Sequence, residues 1–425
     1  MISRLIRYGL AATALVALAS GAQAQDKPEK LTILSHKVHE TVSTGAQGGD
    51  ITKDWQEKNG VGLEWVTLDT NALHERLFRE LQLPETSIDM AFFLNTRAVE
   101  SVTKLLEPLS PHQEANPIED IGDIFPGLID GMTFNDTLYG VPFRHASSCF
   151  HYNARIFEEK GVKPPTSMEE LIDAAHKLTF DREDGTKVYG FVIAGDGYAN
   201  TVDLARTWNG DFITTDYRVA TTDDGMMNAV QTLADFYKDG VLPKNWAAIK
   251  DEEINTWIQT GRAAMTTTSC GRNRIYNDPE KSKEAGNIKT IALPVSEKFK
   301  DQFAVAPAKV EFWTIVIPKN SKHKDLAWDL AKTMLSKENT LKAALNGNGP
   351  VRASTYDTDE MKNQLPYAAE EKAVLLVGRV PLPPFDNAAK AADIFVEDLQ
   401  AAVLGMMPVK DAMEDVKKRV TPLLP

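Results

Sequence analysis

The sequence lacks the short motifs that mark several large enzyme classes. It has no G-x-S-x-G elbow, no phosphate-binding loop ending in Gly-Lys-Ser or Gly-Lys-Thr, and no G-x-G-x-x-G dinucleotide turn. His39-Glu40 begins like a zinc-peptidase motif, but Ser43 stands where the second histidine would have to be. We therefore expect a chain that is not an enzyme, with no catalytic residue, no metal and no cofactor. Because 60 residues are acidic, a pair of carboxylates that hydrolyses a glycosidic bond stays open.

Long apolar runs are missing too. The apolar stretch from Gly9 to Ala19 is far shorter than the roughly 18 or more residues that a membrane-spanning helix needs. It follows Arg4 and Arg7 and precedes Ala22-Gln23-Ala24, which is the arrangement of a secretory signal peptide. We predict that residues 1–24 are a signal peptide that is cleaved off, so that the mature protein is soluble and located in the periplasm.

Cysteine is scarce, since Cys149 and Cys270 are the only two in 425 residues. They lie far apart along the chain, whereas structural zinc sites use closely spaced pairs, so no zinc site is expected. We predict two buried free thiols. A disulfide between them stays open, because disulfides persist outside the cytoplasm.

Basic residues are outnumbered by acidic ones. The chain has 47 Lys and Arg against 60 Asp and Glu, which gives a formal net charge of −13. Nucleic acid and anionic membranes are poor partners for such a surface. The length exceeds what one hydrophobic core usually organises, so we expect two lobes with a cleft between them.

Strand-like and helical segments alternate after the N-terminal region. The segments Leu31 to Leu34, Gly62 to Val66 and Ile88 to Leu94 have strand character, and Asn71 to Leu83 has helical character. Such alternation is typical of βαβ units and predicts an α/β fold with a parallel sheet. Two extended pieces follow between Phe134 and Phe150, where we expect the chain to leave the first lobe.

Several motifs then occur in a fixed order. They are Tyr139-Gly-Val-Pro-Phe143, a strand ending in Tyr152-Asn153, a helix start at Ser167 with Glu170, Gly261-Arg-Ala-Ala-Met265, and Gly349-Pro-Val-Arg352. In this order they resemble the family 1 extracellular solute-binding proteins of ABC importers, which are similar to maltose-binding protein. The resemblance extends over essentially the whole mature chain.

The resemblance implies both a fold and a function. The fold is the two-lobe periplasmic binding protein fold of type II, an α/β fold in which each lobe is a mostly parallel sheet flanked by helices. The ligand binds in the cleft between the lobes. The implied function is to capture a small sugar or polyol by hinge closure and to deliver it, as a monomer, to the membrane permease subunits of an ABC transporter.

The same resemblance suggests how the chain is divided. We assign residues 25–141 to the first part of lobe I and residues 142–312 to lobe II. Residues 313–350 return to lobe I. Residues 351–425 form C-terminal helices that belong mainly to lobe II.

Ligands in such folds bind beyond the carboxyl ends of the strands, so the residues that follow strands are candidates. The candidate ligand-binding residues are His36, His39, Asn95, Arg97, Arg144, His145, Trp208, Asn209, Gly210, Ser269, Arg272, Glu311, Trp313 and Arg352. Sugars present flat CH faces and rings of hydroxyls, so an aromatic plane with planar amide and guanidinium groups suits them.

These candidates contain four arginines and one obvious acid, Glu311. A neutral sugar or polyol is our first expectation, and an acidic or phosphorylated sugar is the alternative. Two other classes of protein stay open. One is a periplasmic carbohydrate-active enzyme, and the other is a sensory binding protein that presents its ligand to a membrane receptor.

Overall fold

The structure, a computed structural model, describes residues 27–425. The predicted signal peptide, residues 1–24, lies outside the described residues. Within residues 27–425, no helix is both long enough and apolar enough to cross a membrane.

The strands of the described chain form one large sheet and two small hairpin sheets. They are β1 (Lys30–Ser35), β2 (Gly62–Thr67), β3 (Met90–Leu94), β4 (Thr133–Phe134), β5 (Thr137–Leu138), β6 (Val141–Asn153), β7 (Phe180–Asp181), β8 (Lys187–Val188), β9 (Met265–Ser269), β10 (Ile288–Ile291) and β11 (Val310–Val316). The large sheet has the order β10-β6-β11-β3-β1-β2, and β9 also pairs with β6. The pairs β4-β5 and β7-β8 form the small sheets.

Helices flank the large sheet along the whole described chain. They are α1 (Lys37–Thr44), α2 (Lys53–Asn59), α3 (Thr70–Leu81), α4 (Glu100–Thr103), α5 (Ser110–Ala115), α6 (Pro126–Asp130), α7 (Ala154–Glu159), α8 (Met168–Lys177), α9 (Tyr198–Thr207), α10 (Asp224–Lys238), α11 (Asp251–Gln259), α12 (Arg272–Tyr276), α13 (Lys324–Met334), α14 (Lys337–Leu345), α15 (Asp359–Gln364), α16 (Ala368–Val377), α17 (Ala388–Val403) and α18 (Val409–Val420).

The first three long strands form the parallel part of the sheet. β1 pairs in parallel with both β2 and β3, as the alternation of strand-like and helical segments predicts. Leu31, Ile33 and Leu34 of β1 are fully buried, because helices cover both faces of a parallel sheet. β11 then returns antiparallel between β3 and β6.

The long strand β6 connects two bodies. Its first half, Val141 to Ser147, pairs with β11, and its second half, Ser148 to Asn153, pairs with β9 and β10. Two large clusters of buried apolar residues lie at these two ends. One contains residues of β1, β3, α3 and α13, and the other contains residues of α8, α9, α10, α17 and α18.

The apolar clusters correct one expected boundary. Val351, Tyr356 and Leu375 belong to the cluster that contains β1. The buried apolar residues from Leu382 onward belong to the other cluster. The chain therefore passes from the first cluster to the second later than residue 350. Tyr356, for example, packs against Phe125 of the first cluster at a ring distance of 5.9 Å. The other lobe boundaries stay a prediction.

Cys149 and Cys270 form a disulfide, so the prediction of free thiols is wrong. Both residues are fully buried. β6 and β9 pair antiparallel with Cys149 opposite Thr268, which is two residues from Cys270. It is this sheet pairing, which no local sequence pattern specifies, that brings the two cysteines together.

Candidate ligand-binding cleft

The strands β6 and β11 form a floor between the two apolar clusters. Arg144 pairs with Trp313, and Ala146 pairs with Glu311. Residues that pair directly in an antiparallel sheet point to the same face, so these four side chains share one face. The intervening residues of both strands, such as Phe312, point to the opposite face and are buried.

Three histidines surround Trp313 on this face. The ring of Trp313 lies 6.4 Å from that of His36, 4.8 Å from that of His39 and 5.5 Å from that of His74. His36 and His39 follow β1, as the strand-end rule predicts, and His36 also caps α1 by accepting a hydrogen bond from the amide of Val38 at 3.2 Å. The carboxyl end of β1 therefore meets the floor at Trp313.

Burial keeps two of these histidines neutral at pH 7. His39 is fully buried and stacks on Phe92 at a ring distance of 4.4 Å. Burial, and then the nearby charges of Arg144 and His36, hold the pKa of His39 well below its usual value. Burial lowers the pKa of His74 to about 4. The Nε2 atom of His74 accepts a hydrogen bond from the amide of Leu94 at 3.1 Å, which fixes α3 to the end of β3.

The residues after β3 have two different roles. Asn95 is buried, and its Oδ1 atom accepts a hydrogen bond from the amide of Phe312 at 3.0 Å, which fixes this loop to β11. Arg97 is exposed and donates to Oδ1 of Asn71 at 3.1 Å. Thr96 and Arg97 line a cavity of about 350 Å³ together with residues of the other lobe. Arg97 is thus available to a ligand, whereas Asn95 positions the floor.

A larger cavity, of about 1010 Å³, is lined by other residues of the floor. Arg144 to Ala146 form its base, Ser269 and Gly271 to Ile275 form the wall from one lobe, and Gly347 to Gly349 form part of the wall from the other. Arg272 in this wall is anchored, because it donates to Asn255 at 2.7 Å and pairs with Glu252 at 3.1 Å. The predicted residues Arg144, His145, Ser269 and Arg272 are therefore brought together.

Arg144 has an unusual environment in this cavity. Its Nε atom is buried without a hydrogen-bond partner, and no ion pair to it is found among residues 27–425. Burial lowers the pKa of Arg144, and no carboxylate offsets that effect. His145, its neighbour, is buried on the opposite face and contacts the hydroxyl of Tyr356 through Nε2 at 2.8 Å. Burial, and then the charge of Arg144, lower the pKa of His145 to about 3.

Arg352 does not line the cleft, so its prediction as a ligand-binding residue is wrong. Its side chain is fully buried, and its guanidinium donates to the carbonyl oxygens of Leu335, Asp120 and Glu119, each at 2.8 Å. It also pairs with Asp123 at 3.3 Å. These acceptors lie far from Arg352 in the sequence. The side chain of Arg352 therefore links separate segments of the fold.

Trp208, Asn209 and Gly210 lie at the opposite end of α9 from Tyr198. They follow the last turn of α9, which begins at Tyr198 and is ten residues long, so they are about 15 Å from its start. Trp208 packs against the second apolar cluster. None of the three lines either of the two cavities. Neither cavity therefore supports the predicted aromatic platform at Trp208, which stays a prediction.

The aromatic residue that does reach the cleft from this helix is Tyr198. It lines the smaller cavity together with Arg97. Burial, and then the charge of Glu311, raise the pKa of Tyr198 well above its usual value, so Glu311 on the floor is close to it. Tyr198 follows the strand-like segment Gly190 to Ala194, so the strand-end rule would have found it if it had been applied there. Within the described residues, no three His, Cys, Asp or Glu side chains are grouped closely enough to hold a metal ion.

Comparison with known proteins agrees with this geometry. Residues 50–369 match the family described as bacterial extracellular solute-binding protein. The chain belongs to this family. The family resemblance inferred from the motifs at Tyr139 to Phe143 and beyond is therefore confirmed, and the members of the family are binding proteins.

Three similar proteins illustrate the range of the family. The chain is 21% identical over 413 residues to a probable amino-acid ABC transporter periplasmic-binding protein of Sinorhizobium fredii, covering 93% of this chain and 92% of that protein. It is 24% identical over 305 residues to a mannitol-binding protein of Pseudomonas aeruginosa, covering 65% and 63%. The structure of the sugar-binding protein MalE of Xanthomonas citri matches with a TM-score of 0.77 at 20% identity, covering 93% and 96%. This last match confirms the two-lobe α/β fold.

Proposed function

We propose that this protein captures a small polyhydroxylated solute, a sugar or a polyol, in the cleft between its lobes and delivers it to the permease of an ABC importer. The observation that carries the proposal is the floor formed by β6 and β11. Side chains from both lobes converge on it, and they include the aromatic rings of Trp313 and Tyr198. We also propose that the chain is exported to the periplasm and acts there as a monomer.

The chemistry of the cleft suits polyhydroxylated solutes. Aromatic rings pack against the CH face of a sugar, and planar groups such as the guanidinium of Arg97 donate pairs of hydrogen bonds to neighbouring hydroxyls. The larger cavity of about 1010 Å³ is at the upper end of typical ligand pockets, so it leaves room for the lobes to close around a monosaccharide-sized solute.

Two of the similar proteins are named for this solute class, and one is named for another class, amino acids. A mannitol-binding protein and a sugar-binding MalE protein are among them. The match with a probable amino-acid periplasmic-binding protein makes an amino acid the second candidate. All three names describe binding proteins, which supports a role in capture over a role in hydrolysis or elimination.

The mechanism follows from the position of the floor. Two lobes that meet at β6 and β11 can enclose a solute only by moving toward each other, and hinge closure of this kind is common in binding proteins. A solute shifts the open and closed forms only through its different affinity for them, so the closed form has to gain contacts from both lobes. The permease then recognises the closed form.

A thermal-shift screen of the mature protein tests the proposal. Sugars, polyols, sugar acids, sugar phosphates and amino acids form the panel. A tight solute stabilises the folded state by about 4 kcal/mol when its concentration is a thousand times its Kd. Stabilisation by a sugar or polyol supports the proposal, and stabilisation by amino acids alone contradicts it. Mass spectrometry of the recovered solute then separates binding from catalysis, because an enzyme would return a changed molecule.

A further inference from the structure

Arg144 is half-buried, and it differs from the fully buried Arg206 and Arg352 in having no ion pair among the described residues. Arg206 pairs with Asp211 at 3.1 Å, and Arg352 pairs with Asp123 at 3.3 Å. Arg144 has neither an ion pair nor a partner for its buried Nε atom among the described residues. An arginine keeps its charge in a protein, so it cannot relieve its burial by losing a proton. Buried charges are normally paired, because an unpaired one is costly.

The acidic residues that line the same cavity are already engaged. Glu252 pairs with Arg272 at 3.1 Å, and Asp278 pairs with Lys281 at 3.6 Å. Glu371 accepts hydrogen bonds from the hydroxyls of Ser147 at 3.0 Å and Tyr356 at 3.1 Å. None of these three carboxylates forms an ion pair with Arg144 among the described residues.

The remaining acid on the floor is Glu311, which lies diagonally across from Arg144 in the pairing of β6 and β11. Diagonal neighbours in a sheet are about 7–8 Å apart, which long side chains can span. No ion pair joins the two within the described chain, and the charge of Glu311 acts on Tyr198 instead. Glu311 is thus the residue of the protein that would compete with a solute carboxylate for Arg144. The variants therefore include Glu311→Gln.

A second polar atom nearby is also unsatisfied. The Nε2 atom of His39 is buried without a hydrogen-bond partner, and His39 is close enough to Arg144 for the arginine charge to act on it. His39 is fully buried, so its Nε2 atom is enclosed by the protein, whereas Arg144 lines the larger cavity.

We infer that the solute carries a carboxylate that pairs with Arg144 at the floor of the cleft, so that the preferred ligands are sugar acids. This inference rests on the proposed function and narrows its solute class. The guanidinium of Arg144 matches a carboxylate in a two-fold hydrogen-bonded pair, and the rest of the cleft binds the hydroxyls.

Matched pairs of solutes test the inference by titration calorimetry. Each pair differs only in a CH2OH group replaced by a carboxylate: D-glucose with D-glucuronate, D-galactose with D-galacturonate, and D-mannitol with D-mannonate. We expect the acid of at least one pair to bind at least about tenfold more tightly than its neutral partner. If the neutral members bind as tightly as the acids or more tightly, the inference is wrong and the proposed function stands. If the protein binds no sugar, polyol or sugar acid, in these titrations or in the thermal-shift screen, both are wrong.

Variants separate a ligand contact from a structural role. Arg144→Gln should remove the preference for the acid and leave the melting temperature of the ligand-free protein unchanged or higher, because it removes an unpaired charge. Arg144→Lys should keep part of the preference. Arg218→Gln, which removes an exposed arginine paired with Asp223, is the control for net charge and should change neither.

Two results with these variants would overturn the inference. One is a melting temperature that falls in Arg144→Gln without ligand, since Arg144 would then be a structural residue. The other is an acid preference that appears or grows only in Glu311→Gln, since Glu311 would then be the natural partner of Arg144.

Discussion

Two arginines in this protein, one fully buried and one half-buried, have opposite surroundings. Arg352 in the first lobe is fully buried, and three carbonyl oxygens and the carboxylate of Asp123 satisfy its guanidinium. Arg144 on the floor between the lobes has a buried Nε atom without a partner. Both were candidates for the cleft in the sequence, Arg144 after the crossing into the second lobe and Arg352 in a late loop. The difference lies in the partners that the fold brings to them, and it separates a structural arginine from one that is available to a ligand.

A second ionisable group near the floor, Glu371, is buried without an ion-pair partner in the described part of the chain. Glu371 lies next to Ser147 and Tyr356, which donate hydrogen bonds to it, and no cation pairs with it among the described residues. Burial raises the pKa of Glu371 to about 7. Incompletely matched polar groups thus gather where the lobes meet, at the place where a binding protein has to move and to accept a ligand.

The largest effect is expected at Arg352. Arg352→Met keeps the length of the side chain but leaves buried carbonyl oxygens without their donor and Asp123 without its ion-pair partner, so it should lower the free energy of unfolding by about 3–5 kcal/mol. Urea unfolding measures this, with the exposed Arg218→Met as control. A loss below about 1 kcal/mol would mean that Arg352 is not a structural link.

The disulfide between Cys149 and Cys270 should be the next largest contribution. It closes a long loop, since the two cysteines are 121 positions apart in the sequence, and it lies beside the cleft wall at Ser269. Replacing both cysteines by alanine should lower the free energy of unfolding by about 2–4 kcal/mol. Reductant should destabilise the parent protein and leave the double variant unchanged. A thiol titration of the denatured parent without reductant should find no free thiol, and two free thiols would show that the bridge is absent.

Glu371 should make stability depend on pH. In the unfolded chain a glutamate titrates near pH 4.3, so between that pH and about 7 the unfolded state releases a proton that the folded state keeps. The contribution of Glu371 is therefore most favourable below about pH 4.3 and is lost as the pH rises to 7. From pH 4.3 to 8, Glu371→Gln should gain about 3 kcal/mol relative to the parent. Melting curves across this range, with the exposed Glu360→Gln as control, would contradict the expectation if the two variants behave alike.

The two ends of α9 provide the smallest and most local comparison. Tyr198 at its start lines the smaller cavity, whereas Trp208 after its end packs in the second lobe. Tyr198→Ala should weaken solute binding by about 1.5 kcal/mol through loss of an aromatic contact. Trp208→Ala should lower the melting temperature but leave the affinity unchanged. Calorimetry on both variants decides between the two ends, and a loss of affinity only in Trp208→Ala would move the cleft to the far end of the helix.

Local signals in the sequence predicted much of the fold. The segments Leu31 to Leu34 and Gly62 to Val66, which were predicted as strands from their apolar and β-branched residues, lie within β1 and β2. Ser167 caps α8 by accepting from the amide of Glu170 at 3.2 Å, as the spacing of the two residues predicts. The residues after β1 and β3 reach the floor because the carboxyl ends of parallel strands meet at one edge.

What the sequence could not show depends on contacts between distant parts of the chain. The acceptors of Arg352 come from residues 119–123 and from Leu335, and no spacing in the sequence connects them. The disulfide depends on the pairing of β6 with β9. Tyr198 was missed because the strand-end rule was not applied to the segment before it, Gly190 to Ala194, which forms isolated bridges such as that between Val192 and Thr266.

The central claim is that the solute is enclosed between the two lobes, with contacts from both. Small-angle X-ray scattering of the mature protein, with and without the solute found by the thermal-shift screen, tests it most directly. We expect the radius of gyration to fall when the cleft is saturated, because binding on the floor between β6 and β11 requires the lobes to approach each other. Saturation by calorimetry with an unchanged radius of gyration would contradict the claim.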